Sequence, residues 1–268
     1  MHNKYERELA VAREAARIAG EYIRAAYVDF VPIPDAPVTI STEIDKGSQE
    51  LILQHLAREF PTDGQCAEET TVSKDGRNAT SNRVWVVDPI DGTRGFVMKN
   101  GEFSVMIALT VDRKPVVGVV LEPVTMKTTY ATLGGGCWTC TGDGPATKCQ
   151  VKTETDLAKM TLVQSHSKPG KPSMPVVQLK PAVVLEMYSA GVKMAVVARG
   201  EADVYANVYS AFADWDICAG DILVTEAGGV VTGLKGETIT YGNEGYRQNY
   251  GLIAASLAIH TATIAKLK

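Results

Sequence analysis

Trp85-Val86-Val87-Asp88-Pro89-Ile90-Asp91-Gly92-Thr93 runs a β-type apolar segment into a turn that carries two carboxylates three residues apart. Val, Ile and Trp suit a pleated, half-buried surface, so the segment reads as a strand ending near Asp88. Pro89 fixes φ and removes a donor, and Asp91-Gly92-Thr93 turns the chain so that backbone N–H groups can face an anion. The carbonyl of Ile90, between the two aspartates, is a further oxygen donor. Hard divalent cations take such oxygen ligands and share them with substrate phosphate oxygens. Asp-Gly after a strand is also a hairpin signal, so this segment alone leaves both readings open.

Ala67-Glu68-Glu69-Thr70 and Ala213-Asp214-Trp215-Asp216 offer further carboxylates. Residues 215–229 carry apolar side chains at helical spacing and close on Gly228-Gly229, the pattern of a helix with a glycine stop. Asp216 then falls in the first turn, where a side-chain oxygen caps free amides and the helix dipole favours negative charge. Taken singly, Glu68-Glu69 is a solvated acidic pair and Asp216 an ordinary cap. Their joint occurrence in this order, over about 150 residues, points to several carboxylates converging on one phosphate and to more than one metal ion.

Together, Glu68-Glu69, Asp88-Pro89-Ile90-Asp91-Gly92-Thr93 and Trp215-Asp216 with Ala219-Gly220 resemble the motif set of the inositol monophosphatase superfamily of Mg²⁺-dependent, Li⁺-sensitive phosphatases. The resemblance spans most of the chain. Residues 95–109 and 114–120, Ser165-His166, and Gly191-Val192-Lys193 ahead of Ala202-Asp203-Val204-Tyr205 are most similar to the 3'(2'),5'-bisphosphate nucleotidases, which hydrolyse 3'-phosphoadenosine 5'-phosphate to AMP. The resemblance implies Glu68, Asp88, the Ile90 carbonyl, Asp91 and Asp216 as ligands of two or three Mg²⁺ ions, with Li⁺ as an inhibitor. It implies that Asp45 and Thr93, with Glu68, position or deprotonate the attacking water. Gly92, Thr93, His166, Lys193, Asn207 and Asp216 would contact the substrate. From the residues alone, Asp45 reads equally well as the cap of a helix in which Leu51, Ile52, His55 and Leu56 recur at helical spacing.

Two positions depart from the nucleotidase pattern. Asn207 stands where nucleotidases usually carry Arg and inositol monophosphatases commonly carry Glu, and Ala190 stands where nucleotidases often have Ser. The implied chemistry is therefore firmer than the substrate. An inositol, sugar or histidinol phosphatase is the alternative, and a non-catalytic metal-dependent nucleotide sensor ranks behind both.

The chain has 268 residues, 45% of them hydrophobic, which allows one large or two coupled domains with a substantial core. Its formal charge of −4, without clustered Lys and Arg, argues against nucleic-acid binding. A small phosphate ester, probed first as a nucleotide, is the expected partner. The charged N-terminus lacks a signal-peptide core, and no apolar run is long enough to span a membrane, so a cytoplasmic address is expected. Five cysteines fit a reducing compartment; Cys137-Trp138-Thr139-Cys140 has metal-knuckle spacing but lacks the second pair a zinc site needs. The pattern predicts an amphipathic helix over residues 4–27, a Pro-rich loop over 31–37 and a strand near 38–41. A helix from Asp45, strands near 83–87, 103–111 and 115–122, and a mobile loop over 168–175 follow. The resemblance implies an α/β fold, an α/β/α/β/α layered sandwich of two coupled halves. Residues 1–150 would carry most of the ligands, and residues 151–268 Asp216 and substrate contacts. It also implies a homodimer, for which no interface is legible, and closure of the two halves around metal and substrate.

Overall fold

A computed structural model describes residues 4–37, 39–73, 81–168, 170–209 and 212–267. Helix α1 (Glu6–Asp29) buries Ala12, Ala15, Ala16, Ala19, Gly20 and Ile23, a stripe of mainly small residues that lets the helix lie close on its neighbours. At Gly20 a Cβ would stand 2.5 Å from Leu121 Cδ2, so the bare Cα sets the approach. Helix α2 (Glu43–Glu59) starts at a capping box: Thr42 accepts from the Ile44 N–H, and Asp45 accepts from the Thr42 N–H at 2.9 Å.

Under these helices lies a seven-stranded sheet in sequence order, β1 (Gly64–Ala67), β2 (Arg83–Asp91), β3 (Ser104–Val111), β4 (Lys114–Glu122), β5 (Lys127–Thr132), β6 (Gly136–Thr141) and β7 (Thr147–Lys148). Its pairs are antiparallel except β1 with β2, which run parallel, Ala67 opposite Val87. Helix α3 (Thr93–Val97) leaves the end of β2 through Gly92, whose φ of 85° suits glycine. The Asp-Gly pair thus opens a helix rather than a hairpin.

The second sheet is ordered β12-β14-β10-β8-β9, formed by β8 (Thr161–Gln164), β9 (Val183–Glu186), β10 (Val204–Asn207), β12 (Val230–Thr232) and β14 (Leu252–Ala255). Strand β10 is parallel to β8, and β8 to β9, while β14 runs antiparallel to both β10 and β12. A two-stranded ribbon pairs β11 (Phe212–Ala213) with β13 (Arg247–Gln248). Helices α5 (Ala190–Ala198) and α6 (Asp214–Glu226) fill the space between the two sheets, which is why every residue of α5 is buried. A helix with Lys193 as its one charged residue belongs in such an interior. Gly118 of β4 makes the seating of α6 possible, since a Cβ there would stand 2.4 Å from Ile222 and 2.6 Å from the Ala219 carbonyl. Helices α4 (Met174–Leu179) and α7 (Leu257–Lys266) cover the outer face of the second sheet. The result is the expected α/β/α/β/α order, with three apolar clusters at its layer junctions.

Three local expectations change. Thr39, Ile40 and Ser41 form no strand, and Val38 lies outside the described residues. The loop over 168–175 is shorter than its composition suggests: Lys168 bridges to Lys171 and Ser173 caps α4, while Pro169 lies outside the described residues. Cys137 and Cys140 are three apart on strand β6 and so face opposite sides. Cys137 joins the inter-sheet cluster and Cys140 the cluster under α1, an arrangement incompatible with a shared metal. All five cysteines are buried thiols that form no disulfide. No described helix is long and apolar enough to cross a membrane.

Candidate metal centre

The acidic site forms where β1, β2, α2 and the start of α6 meet. Strand β2 continues through Pro89 and Ile90 to Asp91, its register against β3 slipping between Asp88 and Asp91. Proline removes a ladder donor, so an irregularity there is expected. Parallel pairing of Ala67 with Val87 sets Glu68 beside Asp88, and the Glu68 N–H donates to the Val87 carbonyl at 3.3 Å. Asp88, Asp91 and Asp216 each offer an oxygen within 4.8 Å of the others. Residues 128 positions apart in sequence are thus brought together by the insertion of α6 between the sheets.

Asp91 is held from the C-terminal half. Ser189, the cap of α5, donates its hydroxyl to Asp91 Oδ2, which also accepts from the Gly191 N–H at 2.6 Å. Ser104 lies 2.9 Å behind Ser189, hydroxyl to hydroxyl. Asp216 caps α6 by accepting from the Ala213 N–H at 2.6 Å. Its neighbour Asp214 turns away, accepting from the Gly242 N–H and from Gln248.

Thr93 lies 2.8 Å from Asp45 Oδ1 and 2.9 Å from the Ile90 carbonyl, so one hydroxyl joins the helix cap to the aspartate turn. Asp45 is therefore both the cap and a neighbour of the site. Ser48 and Gln49, three and four residues on from Asp45, lie on the same face of α2. Ser48 donates to the Pro89 carbonyl, and Gln49 clamps the Glu69 backbone by accepting from its N–H at 2.8 Å and donating to its carbonyl at 2.7 Å.

Burial and mutual repulsion dominate the electrostatics. Burial pushes the Glu68 carboxyl up to about 8, with the charges of Asp216, Glu69, Asp45 and Asp91 adding to it, although Glu68 stands at the exposed rim. Burial, followed by the charges of Glu68, Asp91 and Asp216, raises Asp88 well above the usual carboxylate range. Burial raises Asp216 to about 7, opposed by the Ala213 N–H. Burial also raises Asp91, against which the Ser189 and Gly191 hydrogen bonds act. Asp88 Oδ1 is buried with no hydrogen-bond partner. Buried carboxylates at this spacing repel one another unless a cation stands between them. The hard oxygen donors and the orphaned Asp88 oxygen fit a divalent ion such as Mg²⁺.

The substrate candidates separate. Gly92 and Thr93 adjoin the carboxylates, and a Cβ at Gly92 would meet the Glu102 carbonyl and the Ser189 backbone at 2.8–3.1 Å. His166 lies on the rim, its Nε2 2.6 Å from Glu102 and its ring against Tyr188 with centroids 4.4 Å apart and planes tilted by 38°. Lys193 does not reach the cleft as a free cation. It is buried, its three donors taken by Ser165 Oγ and the Met187 and Tyr188 carbonyls, each at 3.0 Å, and burial lowers it to about 8. Asn207 is likewise committed, donating to the Tyr205 hydroxyl at 3.1 Å and accepting from the Tyr209 N–H at 2.8 Å. Both side chains support the wall behind the site, because a donor already saturated in the interior has nothing left for a ligand. Sequence reading missed Ser48, Gln49, Ser104, Ser189, Glu102 and Tyr188. The signal available for the first two was a polar pair at i+3 and i+4 from Asp45, on a face that should otherwise be apolar.

The match to the inositol monophosphatase family model runs from residue 4 to residue 268. The chain belongs to that family. It is 32% identical over 236 residues to inositol monophosphatase 2 of Solanum lycopersicum, covering 84% of this chain and 87% of the relative. It is 30% identical to the 3'(2'),5'-bisphosphate nucleotidase CysQ of Aggregatibacter actinomycetemcomitans, covering 85% of each. Among solved structures, inositol monophosphatase from Anabaena matches with a TM-score of 0.78 and 26% identity over 98% of this chain and 95% of that one. The extragenic suppressor protein suhB of Bartonella henselae matches with a TM-score of 0.81 at 24% identity, over 98% and 99% of the two chains, a likeness of fold. Family membership makes the chain a phosphatase of small phosphate esters, of a metal-dependent kind.

Proposed function

We propose that the chain is a Mg²⁺-dependent phosphomonoesterase that hydrolyses the 3'-phosphate of 3'-phosphoadenosine 5'-phosphate, giving AMP and phosphate. The observation that carries the chemistry is the set of Asp88, Asp91 and Asp216 oxygens within 4.8 Å, one of them on a carboxylate with a buried, unpartnered atom. Glu68, the Ile90 carbonyl and these three aspartates would hold two or three ions. The bound ions supply a water of lowered pKa and neutralise phosphoryl charge. Asp45 receives the proton of the attacking water through the Thr93 hydroxyl, to which it is joined at 2.8 Å. The water oxygen bonds to phosphorus as the ester P–O bond breaks, and the leaving oxygen takes its proton from solvent. The Gly92 and Thr93 amides border the equatorial oxygens, where charge collects in a loose transition state.

Support for a nucleotide comes from the rim. His166 and Tyr188 form an aromatic pair next to Ser189 and Asp91, their rings tilted 38° to each other, and so offer ring faces to a purine. Glu102 joins His166 of one half to the turn before β3 of the other, and its carboxylate also accepts from the Tyr188 N–H at 3.2 Å. Hydrolysis of inositol 1-phosphate is the second reading, favoured by the inositol monophosphatases among the relatives and by the absence of an Arg at position 207.

The test is phosphate release from 3'-phosphoadenosine 5'-phosphate and inositol 1-phosphate in parallel, with Mg²⁺ present or chelated and with or without Li⁺. A kcat/KM advantage for the nucleotide, abolished by chelation and reduced by Li⁺, supports the first reading, and the opposite preference selects the second. Asp91→Asn removes one of the converging charges and should abolish release from either substrate while the protein still unfolds cooperatively. Full activity in that variant would refute the metal centre.

A further inference from the structure

The two residues expected to meet the non-reacting part of the substrate are not free to do so, since the Lys193 ammonium is donor-saturated and the Asn207 amide is internally bonded. Arg94 follows Thr93 directly and is half-buried. Its guanidinium carbon lies 5.4 Å from the centre of the Tyr188 ring, and its Nε is buried with no hydrogen-bond partner. Arg94, like Arg13, Arg24, Arg113 and Arg247, pairs with no carboxylate among the described residues, but among the described arginines it alone has a buried nitrogen without a hydrogen-bond partner. Ring stacking is a weak compensation for a buried, unsatisfied guanidinium N–H, and such groups call for an explanation.

We infer that Arg94 is the specificity-determining cation of the site, receiving a second, non-reacting phosphate of the substrate. The inference rests on the reading of Asp88, Asp91 and Asp216 as the reacting-phosphate site. Thr93 and Arg94 bring the catalytic hydroxyl and the guanidinium to adjacent positions at the end of β2. Tyr188 and Ser189 bring the stacking ring and the support of Asp91 to adjacent positions from the opposite half. Arg94 therefore follows the catalytic hydroxyl in sequence and meets the residue preceding Ser189, with no ion pair to any member of the carboxylate cluster. A guanidinium presents a planar fork that matches phosphate oxygens in a bidentate way, and its charge persists at any working pH. A ligand's second phosphate would engage the terminal guanidinium nitrogens of Arg94, which are not among the buried unpartnered atoms, while the acidic cluster keeps the reacting phosphate through its ions. The substrate class that follows is a bisphosphate whose two phosphates lie on one small scaffold, of which a nucleoside 3',5'-bisphosphate is the first to try.

The decisive quantity is the ratio of kcat/KM for a bisphosphate to that for the monophosphate lacking the second group. It is measured with adenosine 3',5'-bisphosphate against adenosine 3'-phosphate, and with inositol 1,4-bisphosphate against inositol 1-phosphate. Wild type should favour the bisphosphate on at least one scaffold. Arg94→Gln should lower that ratio about 30-fold, mainly through the KM of the bisphosphate, and Arg94→Lys, which keeps charge but loses the fork, about 5-fold. Because both substrates meet the same variant, a general loss of folded protein cancels in the ratio. A preference for inositol 1,4-bisphosphate that Arg94→Gln removes would sustain the role of Arg94 even if the nucleotide reading failed. A wild-type ratio near one on both scaffolds, or a folded variant that keeps the wild-type ratio, would overturn the assignment.

Discussion

Replacing Asp221 by Asn should make the protein more stable at high pH relative to low. Asp221 is buried on α6 and accepts a hydrogen bond from the Tyr241 hydroxyl at 2.7 Å. Burial raises its carboxyl to about 6 from the ordinary 3.8, with the Tyr241 hydroxyl opposing the shift. The folded value lies above the unfolded one, so the native state favours the protonated form. Below pH 3.8 both states are protonated and Asp221 carries no penalty; above 6 both are ionised and only the native state bears the buried charge. At 1.36 kcal/mol per unit, the full difference is about 3 kcal/mol, lost progressively as pH rises. Between pH 4.5 and pH 8 the linkage relation leaves about 2 kcal/mol of that change. Asparagine keeps the acceptor for Tyr241 and removes the charge. Urea unfolding of both proteins across this range at fixed Mg²⁺ isolates the effect, because other titrations cancel in the difference. The stability of Asp221→Asn minus that of wild type should rise by about 2 kcal/mol from pH 4.5 to pH 8. A difference constant to within about 0.5 kcal/mol would show that Asp221 is not titrating in a dry site.

Three other outcomes follow from distances at the site and in the core. Ser189→Ala removes the hydroxyl that anchors Asp91 Oδ2 and should weaken Mg²⁺ binding about 10- to 100-fold, read from the Mg²⁺ dependence of the melting temperature. Gly118→Ala sets a Cβ 2.6 Å from the Ala219 carbonyl, a backbone atom that cannot yield, and should cost about 1–3 kcal/mol in chemical denaturation. With Glu68 raised to about 8 and Asp216 to about 7, Mg²⁺ must displace protons to bind. Its apparent affinity should therefore climb steeply from pH 6 to pH 8, with proton release measurable by calorimetry in buffers of different ionisation enthalpy. A flat profile would place the metal elsewhere.

The legible part of the fold was the part written in local chemistry. Helix α1 announced itself through alanines at helical spacing, and strands β2, β3 and β4 through their β-branched runs. The glycine stop of α6 lies at Gly228, with φ of 88°. The stretch 38–41 has strand composition but no partner to pair with over Thr39–Ser41, and propensity without a neighbouring edge does not make a strand. Strands β5 and β6 were hidden by Thr, Gly and Cys, which carry little periodicity although tertiary packing buries many of them.

Metal-ligand candidates are readable because each is a carboxylate tied to a recognisable backbone event: a strand end, a tight turn or a helix cap. Their supports are neutral residues whose importance comes only from long-range placement. Ser104 and Ser189 are 85 positions apart yet share a hydrogen bond behind Asp91, and Gln49 holds Glu69 across a gap of 20. Lys193 shows the opposite failure. Its charge suggested a ligand, but α5 runs between two sheets, and an ammonium there must spend its donors on the Ser165 hydroxyl and on carbonyls at the start of its own helix. The order of the layers thus decides which charges face the cleft: α5 turns Lys193 inward to brace the segment carrying Tyr188 and Ser189, and that segment in turn holds Asp91 and faces Arg94. The C-terminal half thus acts on the metal centre in two ways, through Asp216 on α6 and through this strip of backbone behind Asp91. A change anywhere along it should alter metal affinity and substrate preference together, while changes to α1 or α7 should alter stability alone.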